Sequence, residues 1–347
     1  MEEFLQALKN EIRLQQNFFN EETVETVYFG GGTPSLLKLT EIEEIWKTIN
    51  IYFNLSSSPE VTFECNPDDL TLQYLQQLHH IGINRISLGL QSFQEDELNF
   101  LGRRHSVRQN HIVLEQALDI FDNVSVDLIY GLPGSTLTSW KNTLQQTFKY
   151  PIHHLSAYHL TIEPGTPFFK KQQQANIIPC NEEVSKEQFR YLNAYVKEKG
   201  FIHYELSNFA LKGYFSKHNT AYWKNIPYLG LGPSAHSYNG TNRQWNVADL
   251  NEYLPALKED RIPARKEILT QQDHLNEYLI TGLRTMWGID IKKVEAWMPE
   301  EQFAVFEKTT KKYFLKNWLE EKDGSVYLTD EGKFMSDTIM RDLLWID

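Results

Sequence analysis

The chain has 347 residues, a length typical of about two domains, and it can bury a large core without disulfides or structural metals. Hydrophobic residues make up 41% and charged residues 23%, as in soluble globular proteins, and the net charge of −12 argues against a general nucleic-acid binder. The sequence has no apolar run long enough for a membrane span and no recognisable signal peptide, and its two cysteines exclude a disulfide framework, so we expect a cytoplasmic protein.

The first predicted element is an amphipathic helix over residues 2–15, with Leu5, Leu8 and Ile12 on one face. It lacks an N-cap residue, although acidic residues in its first turn suit the positive end of the helix dipole. A genuine start and a chain shortened at its N-terminus both fit this pattern.

Short apolar stretches rich in Val, Ile, Tyr and Phe follow, and special residues end each of them. These predicted strands cover residues 24–29, 61–64, 85–90, 124–130 and 155–162, with a weaker one over 201–206. The helical patterns between and after them cover residues 40–52, 71–80, 106–121, 135–148 and 184–199. The first of these helices is predicted to begin in a capping box of Thr40 and Glu43, and the polar residues 170–174 are predicted to form a loop. This alternation predicts an α/β fold with a parallel sheet, closed into a barrel or open, and ligands at the carboxyl ends of its strands.

The pattern changes after about residue 255. Helices are predicted over 269–286, 291–297 and 303–319, followed by a short strand at 326–329 and a last helix to Leu344. Such an arrangement favours a small winged-helix-like domain. Its acidic residues argue against DNA binding, so we interpret it as a packing domain.

A glycine-rich segment, Gly30–Gly31–Gly32–Thr33–Pro34, directly follows the first predicted strand. Three glycines allow a close backbone approach and expose N–H groups toward a ligand. A plain tight turn is the alternative, but it does not need three glycines. The segment is neither a dinucleotide-binding fingerprint nor a P-loop.

Polar side chains end three further strands. Glu64, Gln91 and Asp127 would point into one mouth of the sheet, and Arg103 could reach back with its guanidinium to a carboxylate ligand. Ordinary surface polarity explains any one of them alone. Together with the glycines they predict a site for a ligand that carries an amine, a carboxylate and hydroxyls.

Two histidines lie among aromatic residues in segments predicted to be loops. His218 precedes Asn219, Tyr222 and Trp223, and His236 follows soon after. Imidazole beside aromatic rings could bind haem, a metal or a porphyrin carboxylate, whereas an isolated histidine is more often simply packed. No three-cysteine metal site is possible: Cys65, next to Glu64, should face away from it as a small buried residue, and Cys180 carries no motif.

Taken in order, these motifs resemble the radical S-adenosylmethionine (SAM) proteins of the oxygen-independent coproporphyrinogen III oxidase type, nearest to the HemW branch of haem chaperones. The resemblance covers essentially the whole chain. The segments that carry it are Val27–Ser35, Glu64–Pro67, Arg85–Phe93, Leu101–Arg103, Asp127–Gly134, Leu160–Pro164 and His218–Trp223.

The resemblance implies an incomplete (β/α)6 barrel over residues 1–250 and a small winged-helix-like α+β domain over 251–347. It also implies two sets of ligand-binding residues. The SAM set is Gly31, Gly32, Thr33, Glu64, Gln91, Arg103 and Asp127, with Arg103 on the carboxylate. The haem set is His218, Asn219, Tyr222, Trp223 and, as the next candidate, His236.

One departure from the family is large. Its members carry three cysteines in a Cys-x-x-x-Cys-x-x-Cys spacing after a first strand, and these hold a 4Fe–4S cluster. This sequence has neither, so we expect the chain as written to lack the first barrel strand and to hold no cluster. A start codon placed too late, with an open reading frame upstream, is the favoured explanation; a truncated form that lost the cluster is the other.

The leading functional hypothesis is a cytoplasmic haem chaperone that binds haem and SAM and hands haem to apo-haemoproteins. The first alternative is an enzyme that oxidatively decarboxylates coproporphyrinogen III, and the second is a cluster-free binding module. The motif His218–Trp223 favours the chaperone.

Overall fold

The computed structural model describes residues 1–20, 22–174 and 177–346. This part of the chain divides into two compact units. The barrel unit consists of residues 28–37 and 61–216, and the C-terminal unit of residues 1–27, 38–60 and those from 217 onward. The domain boundary expected between residues 250 and 251 stays a prediction.

In the described residues, the larger sheet has seven strands in the order β1-β2-β3-β4-β5-β7-β6. The strands are β1 (Val24–Phe29), β2 (Leu55–Cys65), β3 (Arg85–Gln91), β4 (Val124–Tyr130), β5 (His154–His159), β6 (Ile202–Glu205) and β7 (Asn208–Ala210). The pairs β2–β3, β3–β4 and β4–β5 are parallel, and β7 pairs antiparallel with β5 and β6. The sheet curls into part of an α/β barrel, so the predicted fold class is confirmed.

Helices follow the strands, as the strand–helix alternation predicts. They are α1 (Glu2–Leu14), α2 (Leu39–Tyr52), α3 (Leu72–Ile81), α4 (Glu95–Phe100), α5 (Val107–Ile120), α6 (Leu137–Thr147), α7 (Pro167–Gln173) and α8 (Glu182–Glu198). Helix α3 ends at Gly82, which adopts a left-handed conformation at φ 113°, as expected of a C-cap glycine.

Two local predictions in these helices are wrong. Helix α2 begins one residue earlier than predicted, because the Lys38 N–H donates to the Glu41 carboxylate at 2.8 Å in place of the expected Thr40–Glu43 pair. Residues 170–173 are helical in α7, because the Thr166 hydroxyl caps that helix and Pro167 suits its first position.

The C-terminal unit contains α1, α2 and the later elements of the chain. The later helices are α9 (Lys217–Trp223), α10 (Leu250–Lys258), α11 (Gln271–Leu283), α12 (Ile291–Trp297), α13 (Glu300–Leu315), α14 (Asp330–Phe334) and α15 (Ser336–Leu343). The later strands are β8 (His236–Tyr238), β9 (Asn242–Asn246), β10 (Ala264–Ile268), β11 (Ile289–Asp290), β12 (Leu319–Lys322) and β13 (Ser325–Leu328). Described strands form two small sheets, in the orders β10-β9-β8 and β11-β13-β12. The second sheet with its helices is the predicted small α+β domain, whereas the sequence patterns did not indicate the first.

Helix α1 carries a fully buried carboxylate in the core of the C-terminal unit. Glu11 accepts hydrogen bonds from the Tyr253 hydroxyl, the Asn246 amide and the Gly232 N–H, the last at 2.8 Å. Burial nevertheless raises the pKa of Glu11, because desolvation outweighs these three donors. A fully satisfied polar cluster of this kind fixes the loop at Gly232 and the end of β9 against α1.

No helix in the described ranges is both long and apolar enough to cross a lipid bilayer.

Candidate functional site

The glycine-rich loop after β1 is held open. Gly31 and Gly32 adopt positive φ values of 74° and 71°, and a Cβ added to either would meet nothing within 4 Å. At Gly30, a Cβ would lie 2.4 Å from the ring of Tyr28. The positive φ values favour glycine at positions 31 and 32, and the close approach of the Tyr28 ring requires it at position 30. Without side chains, the backbone of this loop is accessible to a ligand.

Glu64, near the end of β2, binds this loop directly. Its Oε2 accepts a hydrogen bond from the Gly31 N–H at 3.2 Å, and its Oε1 accepts one from the Tyr28 hydroxyl at 2.6 Å. Burial and the nearby Glu64 carboxylate raise the pKa of Tyr28, so the phenol remains a donor. The sequence analysis missed Tyr28. Its position two residues before the glycines, on the face of β1 set by the two-residue period, was the available signal.

Gln91 and Arg103 both lie close to Asn66, the residue that follows β2. Arg103 Nη1 donates to Asn66 Oδ1 at 3.4 Å. The side chains of Gln91 and Asn66 both approach Gly89. A Cβ added to that glycine would lie 2.8 Å from Gln91 Nε2 and 3.5 Å from Asn66 Oδ1. The Nε of Arg103 is buried and makes no hydrogen bond with any described residue, and this burial lowers the pKa of the guanidinium. Arg103 therefore retains a donor suited to a carboxylate.

Asp127 lies in the middle of β4 and not at its end as the sequence analysis predicts, within a polar layer inside the sheet. Both of its carboxylate oxygens accept from the Ser87 hydroxyl, at 3.2 and 3.0 Å. Desolvation raises the pKa of Asp127 to about 6, against the opposing hydrogen bonds from Ser156 and Ser87. Asp127 is therefore protonated more readily than an exposed aspartate.

A hydrogen-bonded chain extends this layer across β4, β5 and β6. Ser125 Oγ lies 2.7 Å from His154 Nδ1, and His154 Nε2 lies 2.7 Å from the Tyr204 hydroxyl. Burial, with a smaller contribution from Arg85, holds the pKa of His154 well below its usual range, so the imidazole is neutral. The sequence analysis missed these residues because their partners are far away in the chain.

All seven residues of the expected SAM set lie in the barrel unit. The structure joins Gly31 to Glu64 directly, places Gln91 and Arg103 near Asn66, and sets Asp127 within electrostatic range of Glu64. Gly32 and Thr33 continue the glycine loop, and the Thr33 hydroxyl makes no hydrogen bond within the described residues. These seven residues are called the strand-end cluster below.

A separate cavity of about 230 Å³ lies in the barrel unit beside the loops that follow β4 and β5. Gly131, His159, Thr161 and Cys180 are among its lining residues, and no member of the strand-end cluster lines it. We assign it no ligand.

His218 lies in the C-terminal unit, in helix α9 and not in the predicted loop. Its Nδ1 is 3.2 Å from the hydroxyl of Thr26. The backbone N–H groups of Lys217 and His218 donate to the buried carboxylate of Glu60 at 3.2 and 3.1 Å. The Glu60 carboxylate accepts from the unpaired N–H groups at the start of α9 and offsets the positive end of the helix dipole. The seven-residue sequence by itself only weakly favours a helix, which explains why a loop was predicted.

His218 contacts the aromatic ring of Tyr222 within α9. Its imidazole meets the ring of Tyr222 edge to face at 4.9 Å, and Tyr222 meets Tyr228 at 4.5 Å. Burial raises the pKa of Tyr222 to about 12, although the residue remains 39% exposed. Asn219 and Trp223 are half-buried in the same helix. The helix therefore presents an imidazole and flat rings at an accessible surface.

His236 lies outside this helix, at the start of β8. It is exposed, and its ring stacks on that of Trp245 at 6.3 Å. Within the residues the structure describes, no group of three or more His, Cys, Asp or Glu side chains could hold a metal ion. Cys65 and Cys180 are both free.

The chain is similar to known proteins along most of its length. Residues 6–147 match the family model of the radical SAM superfamily, and residues 269–335 match that of the HemN C-terminal domain. A relative from Bacillus subtilis, named heme chaperone HemW, is 31% identical over 342 residues, which cover 98% of this chain and 90% of the relative. Its namesake from Lactococcus lactis is 34% identical over 279 residues, or 80% and 73% of the two chains. Among solved structures, the coproporphyrinogen III oxidase HemN of Escherichia coli superposes with a TM-score of 0.85 at 22% identity, over 99% of this chain and 83% of that one.

Proposed function

This chain belongs to the HemW family of radical SAM proteins, and on that premise we propose that it is a haem chaperone, which binds haem and delivers it to apo-haemoproteins. The observation that carries the proposal is the set of relatives named heme chaperone HemW, which match along nearly the whole chain. The likeness to the oxidase HemN, at 22% identity, concerns the fold alone and gives no ground for proposing decarboxylation. The two free cysteines suit a reducing cytoplasm as the place of action.

Helix α9 supplies the haem contact in this proposal. A neutral imidazole is a good iron ligand, and the rings of Tyr222 and Trp223 can stack on a flat macrocycle. His218 is positioned for this role by Thr26 and by the capped start of the helix, while its surroundings remain accessible. Asn219 completes the set as a polar contact.

The strand-end cluster is proposed to bind SAM. When bound there, SAM would present a carboxylate, an amino group and ribose hydroxyls to the protein. Arg103 has a buried donor left over for the carboxylate, and the open backbone of Gly31 and Gly32 suits the amino-acid end. Glu64 and Asp127 are acceptors for amine and hydroxyl donors, and Gln91 and Thr33 complete the site.

A 4Fe–4S cluster, which membership of the radical SAM superfamily implies, does not fit the residues of this sequence. Such a cluster is held by cysteine thiolates, and the sequence contains only Cys65 and Cys180. Burial raises the pKa of the Cys65 thiol well above its usual value, which disfavours the thiolate. We therefore derive no step through a cluster.

Haem titration of the purified chain tests the proposal. Wild type is expected to give a shifted Soret band and to pass haem on to apomyoglobin, and His218→Ala is expected to bind haem at least tenfold more weakly, about 1.4 kcal/mol. The exposed His80 provides a matched control, and His80→Ala should bind like wild type. Stability should change little in either variant, because neither removes a core side chain.

Two outcomes count against the proposal at different levels. A wild-type chain that binds no haem overturns the chaperone function itself. A His218→Ala variant with unchanged affinity and an unchanged Soret band removes His218 from the haem site and makes His236 the next candidate.

A further inference from the structure

One face of the small sheet β10-β9-β8 carries a row of three side chains that together suit a porphyrin. In the antiparallel register, Trp245 on β9 lies opposite both His236 on β8 and Arg265 on β10. Directly opposite residues project from the same face of a sheet, so these three side chains form one cross-strand row. We call His236, Trp245 and Arg265 the ladder.

The polar groups of His236 and Arg265 have no hydrogen-bond or ion-pair partner among the described residues. Both residues are exposed. Trp245 is half-buried, and its ring lies nearly parallel to that of His236, with 23° between the planes. An imidazole and a guanidinium thus flank one accessible aromatic surface.

The next row on the same face differs. Tyr238, Arg243 and Glu267 occupy it. Arg243 is paired with Glu277 of α11 at 2.7 Å, and Tyr238 is buried. In the next row the Arg243 guanidinium is thus occupied by Glu277, whereas the Arg265 guanidinium of the ladder is exposed.

The opposite face of the sheet is firmly anchored. Asn246, next to Trp245, donates to the carbonyl of Gly232 at 2.8 Å and to the buried carboxylate of Glu11. Ser237 and Gln244 are also buried on that side. Because these contacts fix the strands from behind, the ladder side chains project from a preorganised support, which lowers the entropic cost of binding.

The chemistry of the three groups selects one class of ligand. Imidazole and indole rings stack on flat aromatic systems, and guanidinium binds carboxylates in bidentate fashion. Neighbouring strands are about 4.8 Å apart, so the ladder spans about 10 Å across three strands. Such a row is complementary to a planar macrocycle with carboxylates at its edge.

We propose that the ladder is a porphyrin-binding surface, in which the nearly parallel rings of Trp245 and His236 stack on the macrocycle and Arg265 binds a propionate. The inference rests on the haem-binding function proposed above. It adds Trp245 and Arg265 to His236 and assigns recognition of the propionate to a single side chain.

Titration with haem and with haem dimethyl ester tests the role of Arg265, because the ester lacks the carboxylates. Arg265→Ala should weaken haem binding five- to tenfold and leave the affinity for the ester as in wild type. Arg265→Lys keeps the charge without the bidentate geometry, so its haem affinity should lie between those of wild type and Arg265→Ala. Lys266→Ala is the matched control, since Lys266 neighbours Arg265 on β10 and projects from the other face.

The other two residues have their own signatures. Trp245→Ala and His236→Ala should each weaken the binding of haem and ester alike, because both rings stack on the macrocycle that the two ligands share. Circular dichroism checks that each variant is folded, as expected for substitutions on an open sheet face.

The outcomes separate the inference from the function on which it rests. If wild type binds haem and all three ladder variants bind haem and ester as wild type does, the ladder is not the site, although the chaperone proposal stands. If Arg265→Ala weakens the binding of haem and of the ester equally, the role of Arg265 as the propionate partner is refuted. If wild type binds neither ligand, the proposed function and this inference both fail.

Discussion

The strand-end cluster and the ladder are built in opposite ways. In the barrel unit, Glu64 and Asp127 are half-buried and accept hydrogen bonds from neighbouring residues. In the C-terminal unit, the side chains of His236 and Arg265 are exposed and unpaired within the described residues. Substitutions in the first region should therefore change stability and binding together, whereas those in the ladder should change binding alone.

The largest expected effect comes from the buried support behind the ladder. Glu11→Ala leaves the Tyr253 hydroxyl, the Asn246 amide and the Gly232 N–H without their common acceptor, and should lower the free energy of unfolding by roughly 3–5 kcal/mol. Urea denaturation measures this loss. Glu11→Gln keeps one acceptor oxygen and should lose less.

Glu44→Ala is the control for Glu11→Ala. Glu44 also carries a hydrogen-bonded carboxylate, but its side chain is exposed and pairs with Lys9 at the surface. Its removal should leave the urea midpoint unchanged. Equal losses in both variants would show that the Glu11 cluster adds nothing to the stability of the C-terminal unit.

The second effect depends on pH and belongs to the barrel unit. Because the folded pKa of Asp127 is raised from 3.8 to about 6, its ionised form is disfavoured in the native state. The stability that Asp127 contributes is fully present below pH 3.8 and is lost as the pH rises to about 6. Relative to wild type, Asp127→Asn should therefore gain up to about 3 kcal/mol between pH 4 and pH 7.

Urea midpoints of both proteins at pH 4, 5, 6 and 7 measure this difference. Asp119→Asn, at an exposed position of α5, should show no such trend. A stability difference between Asp127→Asn and wild type that is constant over this range would contradict the raised pKa.

A smaller effect is expected for the hydrogen-bonded chain beside Asp127. Tyr204→Phe removes the hydroxyl that lies 2.7 Å from His154 Nε2 and leaves a fully buried ring nitrogen without that partner. The expected loss of unfolding free energy is about 1–3 kcal/mol. Tyr74→Phe removes a hydroxyl that donates to the Leu37 carbonyl from a half-buried site, and it should cost less. If both variants lost the same unfolding free energy, burial would not explain the contribution of the Tyr204–His154 hydrogen bond.

The smallest expected change in stability is that of Gly31→Ala, and its control separates the effect of backbone conformation from that of ligand binding. Gly31→Ala forces a residue with a Cβ to adopt a φ of 74° and should cost about 1 kcal/mol. Gly134→Ala is matched to it, with a φ of 77° and nothing within 4 Å of an added Cβ. Both should lose the same stability, but only Gly31→Ala should weaken SAM binding in calorimetry. A parallel loss of SAM affinity in Gly134→Ala would remove the special role of the glycine loop.

The sequence alone determined most of the barrel unit, because its signals are local. The alternation of strands and helices follows from residue periodicity, and the capping of α3 by Thr71 and Gly82 follows from single residues with strong conformational preferences. Glu64 and Gln91 could be assigned to one edge because the carboxyl ends of parallel strands meet there, whereas Asp127 lies in the middle of β4.

Tertiary structure decided the rest. Helix α9 depends on the buried carboxylate of Glu60, which is distant in the chain, so the local pattern predicted a loop. His154 is recognisable as a polar partner only once its strand is paired. The ladder arises from the register of three short antiparallel strands, and a register is a relation between distant segments that no single segment encodes.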